Sequence, residues 1–146
     1  MKPSTIKLIE DSLNEFPHNK ATEQVKSQDI KDAEVELGVL FTDDYKVFLK
    51  LFGYASPSAY PLYGLKQPQS GDKYWSVIEE TKRFRDDEWP HVENWYIISE
   101  DLSGNPFGID RQGKVVLWDH DFGGGEIISV ADSFEEFIIK SVNEEI

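Results

Sequence analysis

The fold is decided by residues 95–118, which read WYIISEDLSGNPFGIDRQGKVVLW. β-branched and aromatic residues open this stretch, and their run over residues 95–98 has the length of a strand. Residues 105–110 predict a second strand, and Arg111-Gln112-Gly113 predicts a hairpin turn from which residues 114–118 return as a third. The stretch therefore predicts successive antiparallel strands.

Helical patterns precede this region. Apolar residues recur at helical spacing over residues 4–16, after Ser27 and after Thr42, which predicts three helices. We expect Thr42 to cap the third helix, because a threonine hydroxyl can accept a free backbone N–H. The second helix is expected to bury an apolar side formed by Ile30, Ala33, Val35 and Leu37.

Three further segments complete the pattern. Residues 74–88 favour a helix with outward basic side chains, namely Lys82, Arg83 and Arg85. Residues 127–130 predict another strand, and a last helix is predicted from Asp132, with Glu135 three residues on as in a capping box. Helices, then strands, then a helix predict one α+β domain over residues 1–146, with a mostly antiparallel sheet packed by the N-terminal helices and the C-terminal helix.

The chain is strongly acidic. It has 28 Asp and Glu against 15 Lys and Arg, a formal net charge of −13, and 17 of the acidic but only 6 of the basic residues lie in residues 74–146. Nucleic acid and anionic membranes both require basic groups, so neither is an expected partner. A basic protein would be attracted. The residues alone leave open whether the charge serves binding or only solubility.

Several classes of protein are disfavoured by what the sequence lacks. There is no cysteine, which excludes disulfides and cysteine-ligated metal sites. No signal peptide and no run of roughly 20 apolar residues is visible, so we expect a cytoplasmic protein.

Few groups are suited to catalysis. The chain has neither a cysteine nucleophile nor a Gly-x-Ser-x-Gly elbow. Asp119-His120-Asp121 is the sharpest candidate for a divalent cation, but it lacks a second ligand cluster and is better interpreted as an exposed acidic loop. The glycine triplet at 123–125 lacks the Lys-Ser/Thr of a phosphate-binding loop. We therefore expect no catalytic residue, cofactor or metal.

The candidate contacts with a partner are acidic residues and one tryptophan. Trp75, Trp89 and Trp95 are expected mainly in the core. Trp118 directly precedes Asp119 at a predicted strand end, and an aromatic ring beside carboxylates is a typical hot spot for a basic protein. Charge and predicted loops select the contact set Glu100, Asp101, Trp118, Asp119, Asp121 and Glu126.

Two blocks of sequence resemble a known family. The first is Ile30-x-x-Ala33-Glu34-x-x-Leu37-Gly38, running into Leu40-Phe41-x-x-Asp44-Tyr45-x-x-Phe48-Leu49. The second comprises Ile97-Ile98, Gly108-Ile109-Asp110, Gly113-Lys114-Val115 and Val130-Ala131-Asp132-Ser133-Phe134-Glu135-Glu136-Phe137. In this order, over about residues 27–140, they resemble the SUKH superfamily, and within it the YobK type. Three positions depart from the residues usual in the family. Phe41-Thr42 stands where Leu-Pro is usual, Phe52-Gly53 where Asn-Gly or Gly-Gly is usual, and Gly104-Asn105 where Gly-Asp is usual.

The resemblance implies an α+β fold and a bacterial immunity protein that neutralises a polymorphic toxin, often a nuclease. An acidic inhibitor complements the basic surface with which a nuclease holds phosphate. The superfamily also includes yeast cell-wall-assembly regulators, so a regulatory scaffold that binds several cellular proteins is the alternative. A hydrolase that uses Asp119, His120 and Asp121 is a third hypothesis. We expect a monomer or a weak dimer.

Overall fold

The structure is a computed structural model that describes residues 1–121 and 125–146. Five helices and four strands follow one another along the chain as α1 (Pro3–Glu15), α2 (Ser27–Leu37), α3 (Asp43–Leu51), α4 (Val77–Asp86), β1 (Tyr96–Glu100), β2 (Pro106–Ile109), β3 (Val115–Asp119), β4 (Glu126–Ala131) and α5 (Phe134–Val142). Two short 3-10 turns occupy Pro17–Asn19 and Val92–Asn94. The predicted α+β class is confirmed.

The strands form one antiparallel sheet in the order β1-β2-β3-β4. Neighbouring strands run in opposite directions. Therefore β1 and β3 end, and β2 and β4 begin, at the same end of the sheet. There Glu100 pairs with Pro106, and Asp119 pairs with Glu126. The β2–β3 turn lies at the opposite end, where the Gly113 N–H donates to the Asp110 carbonyl at 3.0 Å, so the predicted hairpin is confirmed.

An aromatic core lies between the sheet and the helices. Tyr45 of α3 is fully buried, with its ring centroid 5.4 Å from that of Tyr96 on β1 and 5.0 Å from that of Phe134 on α5. Phe107 of β2 packs on Phe137 of α5 at 5.0 Å. Large buried rings of this kind supply much of the hydrophobic stabilisation. Because Tyr45 packs on Tyr96 and Phe134, the core includes residues from both halves of the sequence.

A single glutamate ties α1 to α5 and α3. Glu135 Oε1 accepts hydrogen bonds from the Lys2 backbone N–H at 2.6 Å and from the Thr5 hydroxyl at 2.8 Å. The Glu135 N–H in turn donates to Asp44 Oδ2 at 3.0 Å. The N-terminal helix is therefore held by a residue far along the chain.

The expected apolar side of α2 is corrected at one position. Ile30, Ala33 and Leu37 are buried, whereas Val35 is 84% exposed. Successive helical residues rotate by about 100°, so Val35 points almost opposite to residues two positions away on either side.

The predicted cap of α3 is also corrected. Thr42 is the N-cap residue, but its hydroxyl makes no cap bond to the backbone. It lies 2.6 Å from Asp44 Oδ1, which itself accepts the Tyr45 N–H at 2.8 Å. A carboxylate two residues further on therefore takes the role expected of the threonine, because it is the stronger acceptor.

The start of α5 lies later than predicted. Ser133, rather than Asp132, is the N-cap, and its hydroxyl accepts the Glu136 N–H at 3.1 Å. The capping pair is thus Ser133 and Glu136, which leaves Glu135 free to bond α1.

The basic side chains of α4 do not all point outward. Lys82 is exposed, but Arg85 donates from Nη1 to the Leu37 carbonyl at 2.8 Å and from Nη2 to the Trp95 carbonyl at 2.9 Å. Burial lowers the pKa of Arg85. Arg85 therefore cross-links α4 to α2 and to the residue before β1. Its neighbour Arg83 is also engaged within the molecule, as described below.

Candidate partner-binding surface

Five of the predicted contact residues lie at one end of the sheet, here called the acidic end: Asp101, Trp118, Asp119, Asp121 and Glu126. Asp101 follows β1, Asp119 ends β3 and Glu126 begins β4, so the meander places them at the same end of the sheet. Residues up to 25 positions apart are thereby gathered into one surface.

Asn105 lies beneath this surface and links its carboxylates, although its sequence context did not predict a functional role. It is 1% exposed, and its Nδ2 donates to Asp101 Oδ2 at 2.9 Å and to Asp119 Oδ1 at 3.5 Å. Its Oδ1 accepts the His120 N–H at 3.1 Å and also faces His120 Nδ1. The signal in the sequence was the departure from the family pattern at Gly104-Asn105, where an amide replaces the usual carboxylate.

Two of the carboxylates are held by backbone groups as well. Asp101 Oδ1 accepts the N–H groups of Ser103 at 2.9 Å and Asn105 at 2.8 Å. Asp119 Oδ1 accepts the Asp121 N–H at 2.9 Å. Side chains fixed in this way lose little conformational freedom when a partner binds, which favours affinity.

Glu100 ends β1 at the same end of the sheet, but its side chain is bound to Arg83 of α4. Its Oε1 accepts from Arg83 Nη2 at 2.5 Å and from the Tyr63 hydroxyl at 3.0 Å, and its side chain is 19% exposed. Arg83 also holds Glu80 Oε2 at 2.6 Å, and the Glu80 side chain is 5% exposed. The negative charge of Glu100 is therefore compensated inside the protein, and its role as a contact residue stays a prediction.

Burial governs the protonation of this ion-pair cluster. It raises the pKa of Glu80 above its ordinary value, an effect that pairing with Arg83 offsets only in part. It also raises the pKa of Tyr63 well above its usual range, with the nearby Glu100 carboxylate acting in the same direction. For Arg83, hydrogen bonds and charges of both glutamates outweigh the effect of burial and raise its pKa. These groups link α4 to β1, and Glu100 makes its contacts within the protein.

Aromatic rings and imidazoles border the carboxylates and form an aromatic platform. The loop after α4 supplies Trp89 and His91, and the end of β3 supplies Trp118 and His120. Ring centroids are 5.4 Å apart for Trp89 and His120, and 5.3 Å apart for His91 and Trp118. Trp118 is half-buried and lies so close to Gly125 that a Cβ there would come within 2.4 Å of Cζ2. A larger residue at position 125 would displace the ring.

The expectation that the other tryptophans lie mainly in the core is only partly correct. Trp95 is 5% exposed and covers Gly108, where a Cβ would come within 2.7 Å of the indole. Trp75 and Trp89 are half-buried. An indole is too large to be enclosed easily near the surface of a small domain, so partial burial is a common outcome.

The loop that carries Trp89 holds two strained residues. Glu88 has φ 57° and His91 has φ 68°, in the left-handed region that residues other than glycine rarely adopt. Such a conformation costs on the order of 1 kcal/mol and persists where surrounding contacts fix it. Packing of Trp89 on Phe84 of α4, with ring centroids 4.9 Å apart, is one such contact.

The structure describes the Asp119-His120-Asp121 motif in full and the glycine triplet only at Gly125. His120 Nε2 lies 3.3 Å from Asp121 Oδ1, but within residues 1–121 and 125–146 no group of three or more His, Asp or Glu side chains is placed to hold a metal ion. Of the glycine triplet, Gly123 and Gly124 lie outside the described residues, and Gly125 has φ 88°.

The fold and this surface define a small α+β protein with a four-stranded meander that carries carboxylates and aromatic rings at one end. The chain belongs to the SUKH superfamily, since the SUKH_5 family model, described as "SMI1-KNR4 cell-wall", matches residues 4–143. The predicted superfamily is thus confirmed, whereas the YobK type stays a prediction.

A solved structure shares this fold. It is described as the crystal structure of a protein from Pseudomonas syringae pv. tomato and superposes with a TM-score of 0.63 at 16% identity, covering 90% of this chain and 93% of that chain. No curated protein matches the sequence. In the part of the chain that the structure describes, no helix is long and apolar enough to cross a membrane.

Proposed function

We propose that this chain is a cytoplasmic bacterial immunity protein that binds and neutralises a cognate polymorphic toxin without catalysis, cofactor or metal of its own. The toxin domain is proposed to be a nuclease, an RNase or a DNase. One observation carries the proposal: one end of the sheet gathers Asp101, Asp119, Asp121 and Glu126, together with the half-buried Trp118. Membership of the SUKH superfamily supports the immunity role.

The physical basis is charge complementarity combined with a fixed surface. A nuclease presents Lys and Arg to bind phosphate, and carboxylates attract these groups and speed the encounter. Trp118 lies at the same end of the sheet as Asp119, but consecutive residues of a strand point to opposite faces, so the ring and the carboxylate offer separate contacts to basic side chains. Asn105 holds Asp101 and Asp119 in place, so the surface is formed before the partner arrives.

The proposal is tested with the toxin domain encoded in the neighbouring reading frame. We expect co-expression of this protein to restore growth of cells that produce the toxin domain, and the two proteins to co-purify. Growth inhibition that persists, together with the absence of a complex between the purified proteins, would contradict the immunity role.

The binding surface is tested with a triple variant, Asp119→Asn with Asp121→Asn and Glu126→Gln. We expect its association rate with the toxin domain to fall about tenfold at low ionic strength, because attraction between opposite charges raises association rates. The control removes three exposed charges elsewhere: Glu10→Gln, Glu15→Gln and Glu145→Gln. Equal slowing in both variants would show that only net charge matters and would reject the acidic end.

The alternative is a regulatory scaffold, which the words "cell-wall" in the family description favour. A scaffold would bind several cellular proteins and would not rescue cells from a toxin. Affinity purification from cells that lack the toxin gene separates the two functions, since only a scaffold retains a reproducible set of partners there.

A further inference from the structure

The two lateral edges of the sheet differ in how their backbone groups are satisfied. β1 forms one edge, where the Ile97 N–H donates to the Thr81 hydroxyl at 2.8 Å and the Ile98 carbonyl accepts the Tyr63 N–H at 2.9 Å. β4 forms the other edge, and in the described part of the chain β3 is the only strand that pairs with it. An edge strand without a neighbour is a template for a further strand.

The pairing of β2 with β3 fixes which way the backbone groups of β3 point. At the turn, the Asp110 N–H donates to the Lys114 carbonyl at 3.0 Å. In an antiparallel pair the hydrogen-bonded positions then recur at every second residue, so Gly108 and Val116 form the next bonded pair. Leu117, the residue after Val116, therefore directs its N–H and C=O away from β2 and toward β4.

The same alternation identifies the free backbone groups of β4. Leu117 is aligned with Ile128, so these two residues form a hydrogen-bonded pair. Ile127 and Ser129 lie on either side of Ile128, and their N–H and C=O groups therefore point away from the sheet. No backbone group outside the sheet bonds to them among the described residues.

The free part of this edge adjoins the acidic end. At its far end, Lys140 Nζ donates to the Val130 carbonyl at 3.0 Å, and a register shift against β3 introduces a bulge. A lysine and a bulge are two of the devices that keep a strand edge from pairing. Between Glu126 and Ser129 the sequence has neither a lysine nor a proline, and Ile127 is 45% exposed. The part of β4 nearest the acidic end is thus open to a neighbouring strand.

We propose that the partner is held by strand addition, in which an extended basic segment of the toxin domain pairs with β4 at Ile127 and Ser129. This inference rests on the proposed immunity role and specifies how the partner is bound. The added strand runs along the edge to Glu126, where its basic side chains meet the acidic end. Ile127 is aligned with Trp118 and shares its face, where an apolar side chain of the added strand packs.

Charge favours a basic segment over a second copy of this chain as the occupant. Hydrogen bonds to the main chain fit any extended segment and therefore do not discriminate between partners. Glu126 lies at the start of the free edge, Asp119 is paired with it, and the whole chain carries −13. A second copy brings the same charge to this edge and is repelled, whereas a segment rich in Lys or Arg is attracted.

Strand addition is tested by amide hydrogen exchange, followed by nuclear magnetic resonance on the labelled protein with and without the toxin domain encoded in the neighbouring reading frame. We expect the amides of Ile127 and Ser129 to exchange at least about tenfold more slowly in the complex, because they gain hydrogen bonds. The Ile128 amide, already bonded to β3, is the internal reference for intact pairing. The Arg111 amide, in the turn at the opposite end of the sheet, should keep its rate.

A pair of variants at one position separates the backbone from the side chain. Ile127→Pro removes the outward N–H and leaves the bonds to β3, as a proline on an edge strand does. Ile127→Ala removes the same side chain but keeps the N–H. We expect the proline variant to bind the toxin domain at least about tenfold more weakly than the alanine variant, measured by isothermal titration calorimetry. The exchange experiment uses the wild type, so it decides the matter if the proline variant does not fold.

Strand addition and the immunity role fail in different ways. A toxin domain that is bound and neutralised while the exchange of Ile127 and Ser129 is unchanged overturns strand addition and leaves the immunity role intact. Equal affinities of the proline and alanine variants also overturn it. Exchange that slows at these amides with rising protein concentration, in the absence of the toxin domain, identifies a second copy as the occupant and rejects the proposal. If no complex forms at all, both proposals fail.

Discussion

At the scale of single residues, Asn105 has the largest structural role at the acidic end. Its side chain donates to Asp101 and Asp119 and accepts the His120 N–H. Asn105 is only 1% exposed. Asn105→Ala should lower the free energy of unfolding by about 1–3 kcal/mol, because a buried amide loses its hydrogen bonds to two carboxylates and to the His120 N–H. Urea unfolding measures the change.

An exposed asparagine provides the control for Asn105. Asn14 lies on the outer side of α1, and Asn14→Ala should leave stability unchanged or slightly raised, since alanine favours a helix. A loss for Asn105→Ala no greater than that for Asn14→Ala would show that the Asn105 bonds contribute nothing.

Trp118 is the residue at which we expect the largest effect on binding. Trp118→Ala should weaken the complex with the toxin domain by about 2 kcal/mol or more, mainly through faster dissociation. Surface plasmon resonance gives the rate. Trp75→Ala removes a half-buried tryptophan that is not one of the acidic-end residues and should leave dissociation unchanged. Equal changes in the two variants would argue against an anchor at Trp118.

The residues of the acidic end could be predicted from sequence only in part. Asp119 and Asp121 were found because charged residues beside a strand end are exposed in most folds. The inward turn of Glu100 was not predictable, since it depends on where α4 places Arg83. The role of Asn105 likewise depends on contacts with residues up to 15 positions away.

At the scale of elements, Glu135 makes the attachment of α1 dependent on pH. Partial burial alone would raise the pKa of Glu135, but hydrogen bonds from Lys2 and Thr5 outweigh it and lower the pKa. A carboxyl with a lowered folded-state pKa stabilises the protein above its ordinary value of 4.5, and this contribution is lost as pH falls through the folded-state pKa.

Glu135→Gln should therefore lower the free energy of unfolding by about 1 kcal/mol at neutral pH. The difference from the wild type should shrink as pH falls below 4.5, because the wild-type carboxylate becomes protonated. Urea unfolding across the pH range measures it. Glu145→Gln, at an exposed position after α5, is the control. A difference that stays constant with pH would exclude an ionic role for Glu135.

Periodicity in the sequence predicted the helices and strands well, because each pattern is local. The predictions from periodicity are wrong where a hydrogen bond to a nearby residue determines the local structure. Asp44 displaces Thr42 as the capping group, and Ser133 moves the start of α5 by one residue. Val35 is exposed because it lies about 200° around the helix from Ala33 and Leu37, so its apolar type alone does not determine its burial.

At the scale of the whole molecule, the charge of −13 opposes the compact state through self-repulsion. The free energy of unfolding should therefore rise between about 0.05 and about 0.5 M NaCl, as screening reduces the repulsion. Urea unfolding at the two salt concentrations measures this change. The triple variant Glu10→Gln, Glu15→Gln and Glu145→Gln carries less charge and should show a smaller rise. A fall with salt would mean that ion pairs such as Arg83–Glu80 dominate.

The function of the whole molecule could be predicted from sequence only as a class. Two blocks of packing and turn residues indicated the superfamily, which the family model confirms, whereas the basic partner suggested by the charge stays a prediction. The identity of a partner depends on the shape of the contact surface, which arises only when β1, β3 and β4 are brought together.

The bond between α1 and Glu135 also affects when the protein can fold during its synthesis. A ribosome makes α1 early, yet Glu135 and the rest of α5 emerge about 120 residues later, which takes roughly 6–25 s at typical elongation rates. Until then the apolar stripe of α1, with Ile9 and Leu13, has no helix α5 on which to dock. This domain therefore completes its fold only after α5 has been translated, and the apolar stripe of α1 lacks its α5 contact until then.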